Sequence, residues 1–276
     1  VERLEAMADQ GLVHPDPDWR DGALSRVSAT IEGRVNPAKQ GQALANLARV
    51  LLWAGKNDDA ARLARQALDI GGKYREVADN AATSLATAYI RNGQPKTAIR
   101  LLYKYLEKYP DSTELRLKLG QLQLDRRDRE EAAANFLLVN QQMPYYDWAH
   151  ALFGIDMTER GRLRIAYSSL MEALRLNPNN TEARKKLDQI QPSLAGQELD
   201  PRPLTVQQSR YPSGAPHKLV QGRLDSGGQF LPDGIEVEFF ENGRLKRFLD
   251  IERGKPKGLV ATWDVKGKQL SRQVID

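Results

Sequence analysis

The chain has 276 residues, 41% hydrophobic and 28% charged, with 41 basic against 36 acidic residues and a net charge of +5, the composition expected of a soluble globular protein, with disorder not the default. No window approaches the roughly 18 consecutive apolar residues that cross a bilayer, so no segment reads as transmembrane. Cysteine is absent, which removes disulfides, thiolate metal sites and a cysteine nucleophile, and fits a reducing cytoplasm or a periplasm-like compartment that avoids stray thiols.

The chain opens at Val1 in helical-looking sequence without a methionine, consistent with removal of a leader or anchor and favouring a periplasmic or membrane-tethered location over a cytoplasmic one. Residues 1–40 read as two short helical stretches broken by Pro15 and Pro17, with Ala23 and Val27 at small and large core positions. From Tyr89 to Pro178 three ladders climb by one constant step: Ala98, Ala132 and Ala166; Leu102, Phe136 and Leu170; Pro110, Pro144 and Pro178. Ahead of them, Leu47-Ala48, Leu85-Ala86, Leu119-Gly120 and Phe153-Gly154 pair a large with a small residue, and Gly55, Gly93, Arg127 and Gly161 fall at the expected turns. The interval from Ala60 to Ala98 exceeds the constant step by four, so a longer connection is expected around Gly71-Gly72-Lys73-Tyr74.

These ladders resemble the tetratricopeptide repeat, a helix-turn-helix unit with a period of about 34 residues that buries its apolar face by stacking on its neighbours. The resemblance implies an α-solenoid over 1–190, with a degenerate leading unit at 1–40, four repeats over about 41–178 and a capping helix over about 180–190. For that last helix Asn179-Asn180-Thr181 supplies the N-cap, and Ala183, Leu187 and Ile190 form one apolar stripe.

Residues 191–204 lose helical periodicity and carry three prolines, which marks a linker. Beyond it, alternation in Ile235-Glu236-Val237-Glu238-Phe239 and Leu259-Val260-Ala261-Thr262-Trp263, with turn signals at Ser213-Gly214, Asp233-Gly234, Asn242-Gly243 and Lys266-Gly267, predicts antiparallel hairpins over 205–276. The interval from Gly214 to Gly243 is longer than that from Gly243 to Gly267, and the excess is assigned to an extended loop at Asp225–Gln229. Phe239-Phe240-Glu241-Asn242-Gly243-Arg244-Leu245 and Gly254-Lys255-Pro256-Lys257-Gly258 are similar to MORN-variant repeats. The expected fold class is therefore α+β multidomain, an all-α solenoid followed by a small antiparallel sheet.

Chemistry-bearing patterns are sparse. His14, His150 and His217 stand apart from one another and from carboxylates at ligand spacing, so no metal and no cofactor is expected. There is no nucleophile elbow, phosphate loop or dinucleotide fingerprint, which argues against an enzyme and a small-molecule substrate. Lys246, Arg247, Arg253, Lys255 and Lys257 beside Phe248 could meet nucleic acid or an anionic membrane, but interleaved Asp250 and Glu252 weigh against nucleic acid.

The repeat resemblance places partner-binding residues on the first helix of each unit, at its second, fifth, ninth and thirteenth places. Those are Arg49 and Trp53, then Asn80, Thr83, Thr87 and Arg91, then Gln121, then Trp148. Family members that hold a C-terminal carboxylate have lysine and asparagine where this chain has Ala45 and Arg49, so that clamp does not carry over. The expected function is a non-enzymatic scaffold holding a partner protein segment, with the sheet as a second contact. The alternatives are an envelope or membrane-surface assembly factor approaching lipid or polysaccharide, and an antitoxin-like inhibitor, a label some bacterial MORN-variant families carry.

Overall fold

A computed structural model describes residues 36–197, 199–202, 204–225 and 227–275. The expected leading unit and His14 lie outside these. Within them the order is α1 (Pro37–Trp53), α2 (Asn57–Gly71), α3 (Arg75–Arg91), α4 (Pro95–Lys108), α5 (Thr113–Asp125), α6 (Arg129–Gln142), α7 (Asp147–Glu159), α8 (Leu163–Leu176), α9 (Thr181–Ile190), a 3-10 turn (Gln191–Leu194), then β1 (Thr205–Arg210), β2 (Pro216–Leu224), β3 (Phe230–Phe239), β4 (Leu245–Glu252), β5 (Lys255–Trp263) and β6 (Gln269–Ile275). Packing divides the chain into two compact units, Val1–Leu115 and Arg116–Asp276, the division falling inside α5.

In the first unit α1–α2 and α3–α4 form helix pairs whose core is built from alanines and leucines, among them Leu44, Leu47, Ala48, Ala60, Ala64, Leu85 and Ala88. Small residues let the helices close in: a Cβ added to Gly41 would lie 2.9 Å from Val77 Cγ1 and 3.1 Å from the Gly71 Cα. The four extra residues do not lengthen the connection. Only residues 72–74 separate α2 from α3, while 109–112 separate α4 from α5. The insertion is helix instead, α3 running for 17 residues where α5 and α7 run for 13. Four residues make about one α-helical turn, so the extension adds length and leaves the buried stripe on the same side.

In the second unit the predicted small-large pairs meet across each helix hairpin. A Cβ on Gly120 would lie 2.7 Å from Phe136 Cε1, and one on Gly154 2.7 Å from Leu170 Cγ. The turns between paired helices all need a left-handed residue: Gly55, Gly93 and Gly161 have φ of 78°, 72° and 74°, and Arg127 is held at 65°. Asn180 caps α9 by accepting from Ala183 N at 3.0 Å, and Ala183, Leu187 and Ile190 are buried as the stripe requires.

The six strands form one antiparallel meander in the order β1-β2-β3-β4-β5-β6. Four of its turns share one geometry. The first residue of 211–215, 225–229, 240–244 and 264–268 donates its N–H to the fifth residue's carbonyl, and the glycine at the fourth place donates back to the first. These are five-residue turns closed by a left-handed glycine. The stretch at Asp225–Gln229 is thus a tight turn and not an extended loop. Of the five positions by which the longer glycine interval exceeds the shorter, three lie in this turn and one in each of β2 and β3. Asp233-Gly234 is no turn: it lies inside β3, where a Cβ on Gly234 would meet the Gln221 side chain at 2.8–2.9 Å. The turn between β4 and β5 is Arg253-Gly254, both residues left-handed at φ 47° and 81°.

Within the second unit the sheet and the helices share a single core. Phe239, Phe248, Ile235, Val237, Ala261 and Trp263 of the sheet join Leu137, Leu138, Phe153 and Leu170 of the helices. Two arginines cross this contact, Arg160 paired with carboxylates and Arg116 hydrogen-bonded to neutral oxygens. Arg160 lies 3.4 Å from Asp250 and 3.6 Å from Glu130, its guanidinium 4.4 Å from the Phe248 ring centre. Fully buried Arg116 donates to Asn135 Oδ1 at 3.0 Å and the Gly243 carbonyl at 3.3 Å, over the Phe239 ring.

Candidate functional site

The predicted partner-binding residues fall into two sets. In the first unit, Arg49 and Trp53 lie on α1 and Asn80, Thr83, Thr87 and Arg91 on α3, helices whose buried stripes pack together through Val77, Ala81, Leu85, Leu44, Leu47 and Leu51. In the second unit, Gln121 on α5 is half-buried, and so is Trp148 on α7, which packs against the shared core.

Their side chains do not all face outward to the same purpose. Thr83 Oγ1 donates to the carbonyls of Asp79 at 2.8 Å and Asn80 at 3.1 Å, and Thr87 Oγ1 donates to that of Thr83 at 2.8 Å. Threonine hydroxyls on a helix find their own backbone one turn back. Arg91 Nη1 donates to the Leu52 carbonyl at the end of α1 and lies 3.5 Å from Asn57 Oδ1. It ties consecutive repeats together, neutralising a helix C-terminus that carries no basic residue in its own last turn. Arg49 is exposed, and Trp53 and Asn80 are half-buried. Gln42 and Asn46, outside the predicted set, continue the α1 stripe one turn further and bond to each other, Gln42 Nε2 donating to Asn46 Oδ1 at 2.9 Å. Their helical spacing ahead of Arg49 and Trp53 was the available signal.

Other candidates resolve into structure. His150 is buried on α7 with its Nε2 2.9 Å from the Pro144 carbonyl, and burial lowers its pKa. His217 sits beside Tyr211, their ring centres 4.6 Å apart, and 3.4 Å from Glu238. The basic run of β4 and β5 is largely matched by acids: Lys246 with Glu238 at 2.5 Å, Arg247 with Glu236 at 3.4 Å and Lys257 with Glu252 at 3.0 Å. Phe248 is completely buried, so it cannot stack on a base. Two acids have strongly raised pKa values, Asp156 and Glu131, each pushed to about 7 chiefly by burial. Asp156 has no exposed surface and neither of its carboxylate oxygens has a hydrogen-bond partner, so no solute reaches it. Among the described residues no group of three or more potential ligands could hold a metal ion, and no helix is long and apolar enough to cross a membrane.

The model of the tetratricopeptide repeat family matches residues 79–122, which take in most of α3, all of α4 and most of α5. Among solved structures the chain is similar to TTC0263, a thermophilic TPR protein of Thermus thermophilus, at 19% identity over 62% of this chain and 90% of that one, with a TM-score of 0.51. It is also similar to YrrB, described as a TPR protein with an unusual peptide-binding site, at 19% identity over 59% of this chain and 84% of that one with a TM-score of 0.45. MamA of AMB-1 matches at 21% identity over 57% of this chain and 80% of that one, also with a TM-score of 0.45. No curated protein matches the chain. Residues 79–122 thus match the tetratricopeptide repeat, the helical region has the fold of a solved tetratricopeptide-repeat protein, and a six-stranded antiparallel sheet follows it.

Proposed function

We propose that this chain is a non-enzymatic scaffold that holds an extended segment of another protein against the first-helix stripes of α1 and α3. The observation that carries the reading is Trp53, half-buried on α1 with Arg49 and Asn46 on one stripe, beside an α3 stripe headed by Asn80. An indole left partly exposed supplies a flat apolar surface at small entropic cost, and the asparagine amides match the alternating donors and acceptors of a peptide backbone. The recurrent five-residue turns with Gly214, Gly243 and Gly267 at the fourth place support the likeness of the sheet to MORN-variant hairpins, with the sheet as a second contact for a partner.

The test is direct. A partner captured from lysate by the full chain is purified, and its binding segment titrated against wild type and against Trp53→Ala with Asn80→Ala. The expected result is affinity at least about tenfold weaker with an unchanged melting temperature, the scale on which an aromatic anchor acts. Equal affinity for both proteins removes the α1–α3 face as the binding surface. Arg91 is left intact because its loss would disturb the contact between repeats.

A further inference from the structure

A second site lies in the other compact unit, where the start of α8 meets the sheet. A cavity of about 300 Å³ is lined by Arg162, Arg164, Arg223 and Arg253 together with Asp233 and Glu252, so four guanidinium groups face two carboxylates. It adjoins a shallower basin of about 700 Å³ that shares Arg164, Arg223 and Arg253. The acids are already engaged: Asp233 lies 3.7 Å from Arg223, which Asp200 also holds at 3.0 Å, and Glu252 pairs with Lys257 at 3.0 Å. Arg162 donates to the Ile251 carbonyl at 3.2 Å. The guanidinium groups of Arg164 and Arg253 make no hydrogen bond or ion pair among the described residues.

Two further features agree with this excess of positive charge. Arg253 occupies a left-handed turn position at φ 47°, which asparagine or glycine fills at less cost, so stability does not account for an arginine there. The first turn of α8, like that of α4, has no acidic residue and no side-chain cap, whereas α2, α6 and α9 carry Asp58 and Asp59, Glu130 and Glu131, and Glu182 at theirs. We infer that this cavity binds a doubly charged oxyanion of the phosphate-monoester class, with Arg164 and Arg253 as its principal ligands. The two guanidinium groups that lack a partner among the described residues, those of Arg164 and Arg253, match the roughly −1.5 to −2 of such a group near neutral pH, and their planar forks match its oxygens. The volume leaves room for the group to which the phosphate is attached. Its source is a soluble phosphorylated molecule or the headgroup of an anionic phospholipid.

The experiment titrates the full chain with inorganic phosphate at constant ionic strength, following amide NMR shifts of the α8 start and the Arg253-Gly254 turn. A parallel arm measures co-sedimentation with phosphatidylcholine vesicles with and without phosphatidic acid. The comparison protein is Arg164→Gln with Arg253→Asn, which removes both charges while asparagine still accepts the turn's backbone. Saturable phosphate binding that weakens at least about tenfold in the variant is expected, since two charge-assisted contacts to the anion are lost. If vesicle binding falls with it, the headgroup is the source; if vesicles never bind, the ligand is soluble. Shifts that do not saturate, or phosphate binding equally strong in the variant, overturn the site.

Discussion

The second and third repeats share one register and differ in what covers them. In α4 the outward positions are Lys96, Arg100 and Lys104, all exposed; one repeat later α6 has Glu130, Ala134 and Leu138, all buried. Every residue from Ala132 to Val139 is buried, and β4 of the sheet packs on that helix. A helix that is apolar all round has to be covered on every side, whereas an amphipathic one needs a single neighbour. The difference shows how a repeat can be recruited into the core of a second fold: its inner ladder stays as the repeat demands, and only the outer face is rewritten.

The sharpest way to break this comparison is to write one repeat's outer face into the other. Leu138→Lys places a charge where α6 has no access to water, and the expected loss is at least about 3 kcal/mol in urea unfolding. The reciprocal Lys104→Leu, on the exposed face of α4, is expected to change stability by no more than about 0.5 kcal/mol. Comparable effects of the two changes would show that the sheet does not cover α6 in solution.

The covered repeats also carry buried acids, and these set a pH dependence. Asp156 and Glu131 have folded-state pKa values of about 7, above the 3.8 and 4.5 they have when unperturbed. At low pH both states hold the protons and nothing is lost. As pH rises past about 4 the unfolded chain ionises freely while the folded one resists, so stability falls until the folded groups titrate near 7 and then levels off. Asp156→Asn removes its share of this slope and is expected to raise stability at pH 8 by on the order of 2 kcal/mol with little change at pH 4. Chemical denaturation at the two pH values reads the difference, and an equal change at both would assign the effect to packing.

Position eight of the two repeats offers a compensated pair. Ala86 belongs to the repeat in which Leu102 fills the inner position, whereas Gly120 faces Phe136, with only 2.7 Å available to a Cβ. Gly120→Ala is expected to cost about 1–3 kcal/mol through overpacking, in spite of alanine's better helix propensity, and Phe136→Leu in the same chain to recover part of it. A double-mutant cycle with no coupling would separate the two residues.

Much of this was legible in the chain because repeated geometry forces repeated residues. Ala98, Ala132 and Ala166, the turn glycines and the Asn180 cap each serve a local need that one residue type meets, so spacing alone identifies them. The cover over α6 was equally present in Ala132-Ala133-Ala134-Asn135-Phe136-Leu137-Leu138-Val139, but the repeat pattern asks for one apolar stripe, and the inner one already satisfies it. Asp233-Gly234 misled because glycine answers two demands, a left-handed turn and a close approach inside a strand, and sequence does not say which. On α1 and α3, residue type and spacing proposed the helix stripes. They could not tell Asn80 from Arg91, whose guanidinium is occupied by the Leu52 carbonyl, because the alternatives to an outward pose lie far along the chain.

The smallest expected effect tests the turn shared by all four repeats. Gly55, Gly93 and Gly161 take left-handed φ freely, while Arg127 is held at 65° against the steric cost of its Cβ. Its neighbours Arg126 and Asp128 form their own ion pair at 3.0 Å, so nothing there requires a third charge. Arg127→Gly relieves the strain and also loosens the unfolded chain, and these oppose each other. Steric relief of ~1–2 kcal/mol exceeds the entropic loss of ~0.5–1 kcal/mol, so a net gain of about 0.5–1 kcal/mol is expected by urea denaturation. The reverse change, Gly93→Arg, imposes that strain on the second repeat and is expected to cost a similar amount. If Arg127→Gly destabilises instead, the arginine side chain contributes packing or pairing that offsets its backbone, and the third repeat differs from the second in its turn as well as in its cover.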